Sequence, residues 1–259
     1  MEKEQSKFLG VGLKAVQEAE KVLLKYLNEG DLEERTKADN TPVTRADIEA
    51  QKVIIDTIRS SFPDHKFLGE EDADRIDLSR EEFVWIIDPI DGTKNYIRKS
   101  PLFGTLIGLM HNGQMMLGIS NSPVFGELMY AEKGAGAYLN GKPVKVSPFD
   151  QVREAMVSFG GLKYFDKFNQ VDKLVKLCKD VKGARGIGDS WSFHLLAQGK
   201  IDIMVDAHTF ILDIAALSLI VEEAGGKVTD ISGNPLDLKS TSVIATNGFI
   251  HDEVVSYFI

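Results

Sequence analysis

Apolar positions recur at helical spacing from the start of the chain. Phe8, Ala15, Ala19, Val22, Leu23, Tyr26 and Leu27 lie on one face, and Gly30 follows as a stop. This pattern predicts an amphipathic helix. A polar stretch from Gly30 to Thr41 leads to Pro42, and Thr44 is a good N-cap with Asp47 three residues on to complete a capping pair. Ile48, Ile54, Ile55 and Ile58 supply the apolar side of this second helix, which Phe62-Pro63 ends. Lys66-Phe67-Leu68 reads as a short strand entering Gly69-Glu70-Glu71-Asp72, and the apolar run from Phe83 to Ile87 as a buried strand. Thr105 to Met110 and Gln114 to Ser120 are strand-like and joined by Asn112-Gly113. Glu127 to Ala131 and Ala137 to Leu139 continue the pattern, and Asn140-Gly141 turns into Val144-Lys145-Val146. An antiparallel meander is predicted here.

Beyond Ser147 the pattern changes. Strands at Ala155 to Phe159, Asp202 to Ala207, Lys227 to Thr229 and Ser242 to Thr246 alternate with helices near 165–181, 189–198, 213–224 and 251–258. Such alternation predicts an α/β half. No internal repeat or flexible linker interrupts the chain, so the change near residues 141–150 reads as a fused seam.

Composition narrows the class. With 259 residues, 43% hydrophobic and 27% charged, the chain can build one large domain or two fused subdomains. A net charge of −9 argues against a nucleic-acid binder, which needs a basic face. Cys178 is the single cysteine, which excludes an internal disulfide and a cysteine zinc site, and its helical setting suits an idle thiol. The polar N-terminus has no signal-like core and no apolar run is long enough to span a bilayer, so the expected setting is cytoplasmic, without a membrane.

The chemistry centres on Asp88-Pro-Ile-Asp91-Gly92-Thr93-Lys94-Asn95. A buried strand that ends in two carboxylates and a Gly-Thr pair gathers anionic oxygens at one point, and a divalent cation is the economical way to hold them together. A plain Asp- and Gly-rich turn is the bland alternative. Similarly, Glu70-Glu71-Asp72 is either a solvated loop or a source of further ligands, and Asp47 either a cap or a group near the metals.

Two look-alikes fail. Gly136 to Lys142 has P-loop spacing, but Pro143 stands where a Ser or Thr must reach magnesium, so it reads as a hairpin. Asp88 to Gly92 lacks the spacing and closing glutamate of a calcium loop. The five histidines show no metal-ligand spacing. Two residues separate Asp88 from Asp91, where an aspartyl-nucleophile phosphatase would want one, and this favours attack by metal-bound water.

Gly69-Glu70-Glu71, Trp85 to Asn95, and Leu212-Asp213-Ile-Ala-Ala216 with Glu223-Ala-Gly-Gly226 together resemble the signatures of the inositol monophosphatase family. That family comprises magnesium-dependent, lithium-sensitive phosphatases of small phosphomonoesters, and the resemblance covers nearly the whole chain. It implies two or three Mg2+ ions per site, with Mn2+ as the alternative; the all-oxygen set of Glu70, Asp88, Asp91 and Asp213 suits either. Glu70, Asp88 and the Ile90 carbonyl would hold one ion, Asp88, Asp91 and Asp213 a second, and a third would sit near Glu70 and Asp47. Glu70 and Thr93, with Asp47 close by, would orient and deprotonate the attacking water. Gly92 and Thr93 would open a helix whose N–H groups face the phosphate. Asp213 would begin a helix, where capping is its structural alternative. A homodimer is also implied.

Substrate choice, by the same resemblance, rests on Arg185, Gly188, Asp189, Ser190 and Asp206. Inositol-hydrolysing members carry a small or hydroxyl residue at the place of Asp189 and a Trp at the place of Leu212, and this chain departs at both. Gly188-Asp189, the motif through Arg98, and Ala245-Thr-Asn-Gly248 resemble the histidinol-phosphate phosphatase branch more closely. Histidinol phosphate carries an ammonium and an imidazole, so carboxylates at 189 and 206 would gain roughly 1.5–3 kcal/mol each from charge-assisted bonds. Asp189 as a plain N-cap is the alternative. Inositol monophosphate is the second substrate, and a non-catalytic binding protein on the same fold the more distant reading. The expected architecture is α+β, a layered αβαβα sandwich. An N-terminal α+β half (1–143) and a C-terminal α/β half (144–259) would flank the active-site cleft.

Overall fold

The structure is a computed structural model that describes residues 6–29, 34–36, 42–70 and 82–259. Its first part runs α1 (Lys7–Glu29), β1 (Arg35–Thr36), β2 (Pro42–Val43), α2 (Arg45–Arg59), β3 (Lys66–Gly69), β4 (Phe83–Asp91), α3 (Thr93–Ile97), β5 (Gly104–His111), β6 (Gln114–Ser122), β7 (Glu127–Glu132), β8 (Gly136–Leu139) and β9 (Lys142–Val144). The second part runs β10 (Met156–Phe159), α4 (Leu162–Lys167), α5 (Val171–Asp180), β11 (Gly183–Arg185), α6 (Asp189–Ala197), β12 (Ile203–Asp206), α7 (Ile211–Glu223), β13 (Lys227–Thr229), β14 (Val243–Thr246) and α8 (His251–Ser256). The expected helix stop Gly30 and the acids Glu71 and Asp72 lie outside the described residues.

Strands β3 to β9 form a seven-stranded sheet in sequence order. Its β4-to-β9 meander is antiparallel as predicted, and β3 joins β4 in parallel. Asn112 and Gly113, and again Asn140 and Gly141, all take positive φ, the conformation that lets a two-residue turn match strand twist. The P-loop look-alike is therefore the β8–β9 hairpin. A five-stranded sheet has the order β11-β10-β12-β14-β13. Its β10 is parallel to β11 and β12, whereas β14 is antiparallel to both neighbours, so this sheet is mixed.

The layers follow from apolar patterning. Helices α1 and α2 cover one face of the larger sheet through Ala15, Ala19, Leu23, Ala50, Ile54 and Ile58. The other face receives α7, whose buried run Ile214–Val221 is apolar on all sides but for Ser218, because it lies between the two sheets. Helix α6 packs beside it, and α4, α5 and α8 close the far face of the smaller sheet. This is the layered αβαβα sandwich.

Two cross-strand glycines set how closely α7 approaches. Gly108 pairs with Gly118, and a Cβ on Gly118 would lie 2.2 Å from the Ala216 carbonyl oxygen. The bare backbone lets α7 lie against the sheet and sets the position of its N-terminus, where Asp213 sits.

Some expectations change in detail. Ile48 is 45% exposed: it lies about 120° around α2 from Ile54, off the core-facing stripe. The helix expected over 165–181 is two, α4 and α5, separated by a turn in which Asn169 takes φ +55°. The strand expected at Val144 to Val146 is Lys142–Val144, and β11 was not foreseen because Gly183–Arg185 carries no alternating apolar signal.

Candidate functional site

The buried strand predicted to stop at Ile87 instead runs through Asp91. Between Asp88, opposite Leu106, and Asp91, opposite Gly104, β4 carries one residue more than β5. In a regular strand, residues three apart point to opposite faces; one extra residue in a bulge restores the parity. Both carboxylates thus line the same cleft. Pro89 fits because a bulge does not need its missing N–H, and its carbonyl accepts the Thr105 hydroxyl at 2.9 Å.

The cleft has a volume of about 530 Å³, and its lining includes Glu70, Asp88, Ile90, Asp91, Gly92, Thr93, Asp189 and Asp213. Asp213 comes from the N-terminus of α7, far along the chain from the others. Its Oδ2 accepts the Phe210 N–H at 2.8 Å and the Thr209 hydroxyl at 3.0 Å. It is therefore a cap and a cleft residue at once. Asp47 repeats the arrangement on α2: Oδ2 accepts the Thr44 N–H at 2.7 Å and hydroxyl at 2.6 Å, while Oδ1 stands 3.5 Å from the Thr93 hydroxyl. Thr93 donates to the Ile90 carbonyl at 3.0 Å. Gly92 takes φ +82° just before α3, and an added Cβ would meet the Leu102 carbonyl oxygen at 2.8 Å.

Charge is concentrated here. Burial, then the charges of Glu70, Asp91, Asp213 and Asp47, hold the Asp88 carboxyl well above its ordinary range. Asp91 is raised by burial and partly relieved by Ser190, whose N–H donates to it at 2.7 Å. Burial and the Asp91 charge push Asp213 up to about 7. Among the described residues, no three His, Cys, Asp or Glu side chains are already drawn into a metal-binding group. Mutually repelling acids have no reason to close up on their own, and the donor set is all oxygen, so it fits a hard dication.

A second cavity of about 250 Å³ shares Asp91, Lys94, Asp189 and Asp213 with the cleft and adds Tyr164, Ser190, Asp206 and His208. Asp189 is not a cap: its Oδ2 accepts the Asn95 side-chain N–H at 2.7 Å, and Gly188 occupies the N-cap of α6. Gly188 and Asp189 both take positive φ (68° and 49°), which costs the glycine little but strains Asp189, which lines the cavity. Burial and the charges of Asp91 and Asp206 push Asp189 up to about 8, and burial pushes Asp206 to about 6. Gly160 makes room for Asp206, since a Cβ there would lie 1.9 Å from Oδ2.

One expected site residue stays apart. Arg185 is exposed at the end of β11, donates to the neighbouring Ala184 carbonyl at 2.7 Å, and lines neither cavity. Ser190 is there, but its N–H serves Asp91. The structure also adds Lys94, Asn95, Tyr164, His208 and Phe210. The first two stood inside the quoted motif; the aromatic three had no sequence signal.

The sequence model of the inositol monophosphatase family matches residues 4–258. The chain belongs to that family. Its members are phosphatases, and relatives with different named substrates are similar to this one. A histidinol-phosphatase of Chlorobaculum parvum is 36% identical over 92% of this chain and 92% of its own length. A fructose-1,6-bisphosphatase/inositol-1-monophosphatase of Thermotoga maritima is 36% identical over 82% of this chain and 80% of its own. Among solved structures, the extragenic suppressor protein suhB of Bartonella henselae superposes with a TM-score of 0.90 at 28% identity, covering 98% of both chains. The family phosphatase fold thus extends along the whole chain.

Proposed function

We propose that this phosphatase hydrolyses a small phosphomonoester with divalent metal, Mg2+ or Mn2+, and that its ester is histidinol phosphate. The observation that carries the substrate reading is the pair Asp189 and Asp206, half-buried in the lining of one cavity beside the acidic cleft. Two carboxylates suit a leaving alcohol bearing N–H cations, whereas a neutral polyol gains less from the second acid. The similarity to a histidinol-phosphatase supports the same choice.

Glu70, Asp88, the Ile90 carbonyl, Asp91 and Asp213 would hold the metal, with Asp47 beside a further ion. When bound, the metal supplies Lewis acidity, neutralising the carboxylates and the phosphoryl oxygens and making a ligated water acidic. The residues do the rest. Thr93, aligned by the Ile90 carbonyl and standing near Asp47, would orient the attacking water, and Glu70 in the cleft, with Asp47 behind Thr93, would take its proton. The N–H groups that open α3 at Gly92 and Thr93 face the phosphate, and Lys94 adds a positive charge shared by both cavities. Asn95 holds Asp189 toward the leaving alcohol.

The resemblance further implies a homodimer, which sedimentation would test. Side-by-side turnover of histidinol phosphate and inositol 1-phosphate, with magnesium and with chelator, tests the function. Faster inositol 1-phosphate turnover favours the second substrate; release indifferent to chelator removes the metal from the account.

A further inference from the structure

Beside Asp206, four aromatic rings converge. The His208 ring centroid lies 4.6 Å from that of Tyr164, 5.7 Å from Phe168 and 5.1 Å from Phe210. Tyr164 and His208 line the smaller cavity together with Asp189 and Asp206; Phe210, half exposed, lines the adjoining cleft; Phe168 backs His208 from outside. The His208 backbone N–H donates to Asp206 Oδ1 at 3.0 Å, so the ring and the carboxylate are held in one turn. Among the described residues, the His208 ring Nδ1 is buried without a hydrogen-bond partner. Burial and Lys167 hold its pKa below the ordinary value.

Partly exposed aromatic faces next to two half-buried carboxylates make a chemically selective combination. Carboxylates want N–H donors, and aromatic walls want a flat or cationic surface. A polyol offers hydroxyls but no face, and an aliphatic amine offers a charge but no plane. We propose that Tyr164, His208 and Phe210 form the leaving-group pocket of this site, and that the pocket takes a planar nitrogen heterocycle, with His208 as the specificity-determining residue. The proposal rests on the phosphatase reading and names the residues that select the alcohol.

The test compares kcat/KM for the phosphate of an imidazolyl amino alcohol with that for glycerol 2-phosphate in the full chain with magnesium. In His208→Ala this ratio is expected to fall roughly five- to tenfold, chiefly through KM of the imidazole-bearing ester, as loss of an aromatic contact implies. His208→Phe keeps a flat face and is expected to restore most of the ratio. A ratio unmoved in His208→Ala, or as low in His208→Phe as in His208→Ala, overturns the proposal. Should His208→Ala fail to fold, as read by circular dichroism, Tyr164→Leu carries the same comparison. Calorimetry separates this idea from the reading beneath it. If the unaltered protein cleaves no ester, the phosphatase reading falls, yet the free imidazolyl amino alcohol should still bind more tightly than the same amino alcohol without its ring. Equal binding overturns the pocket.

Discussion

The two ends of the cleft are built in different ways. At the end proposed to hold metal, Asp88 and Asp91 sit on one strand whose bulge turns them the same way, and Asp47 and Asp213 each spend one oxygen capping a helix. At the end proposed for the leaving group, Asp189 and the preceding Gly188 take positive φ, and Asp206 occupies space left by Gly160. The first end is held by the backbone of long elements, the second by short-range strain and missing side chains. Chemistry common to every substrate needs the former. Selectivity can be tuned on the latter without moving the sheet.

The largest effect that would break this comparison is at Asp88. Asp88→Asn should lower kcat by on the order of 10²–10³ and abolish the magnesium dependence of the thermal midpoint. In chelator, the same variant should melt no lower than the parent, because it removes a buried, repelled charge. An equally large fall in metal-free stability would mean that Asp88 is chiefly structural. Gly118→Ala comes next: its Cβ would press on the Ala216 carbonyl, shifting α7 and Asp213, with a cost of about 1–3 kcal/mol in denaturant unfolding and weaker magnesium binding. Asp189→Thr should act on the other end alone, lowering kcat/KM for histidinol phosphate about tenfold while changing magnesium affinity little. Equal turnover in the variant would remove Asp189 from the pocket.

The smallest and broadest effect is in pH. Asp189, Asp213 and Asp206 have folded values of about 8, 7 and 6 against an ordinary 3.8. The folded, metal-free chain therefore binds these protons more tightly than the unfolded one. Their contribution to stability is full below about 3.8 and is lost as pH rises toward about 8. Thermal midpoints in chelator should decline across that window, and magnesium should flatten the decline. A midpoint profile identical with and without the cation would sink the idea that these acids wait for one.

The same contrast explains what could be read in advance. Helix α1 and the β4-to-β9 meander were legible because apolar periodicity and Asn-Gly turns are local signals. Asp88 and Asp91 were legible because one specific motif holds both, and Glu70 because a second short motif, Gly69-Glu70-Glu71, carries it. That Asp213 is both a cap and a cleft residue, and that Asp47 is a buried cap standing behind Thr93, was open, since one side chain can satisfy either role and only coordinates show which oxygen goes where. Arg185 carried a family expectation that the single chain does not realise at the cleft. Tyr164, His208 and Phe210 were silent, because isolated aromatic residues carry no periodic or spacing signal.

Sequence by itself determined the elements, their amphipathic faces and the identity of the acids, because each of these depends on neighbours a few residues away. Tertiary structure decided which acids meet, that a bulge turns Asp88 and Asp91 to one side, and that a wall of rings stands beside Asp206. Those outcomes depend on strand register and on how closely α7 can approach two glycines, and both are set by packing between segments distant along the chain.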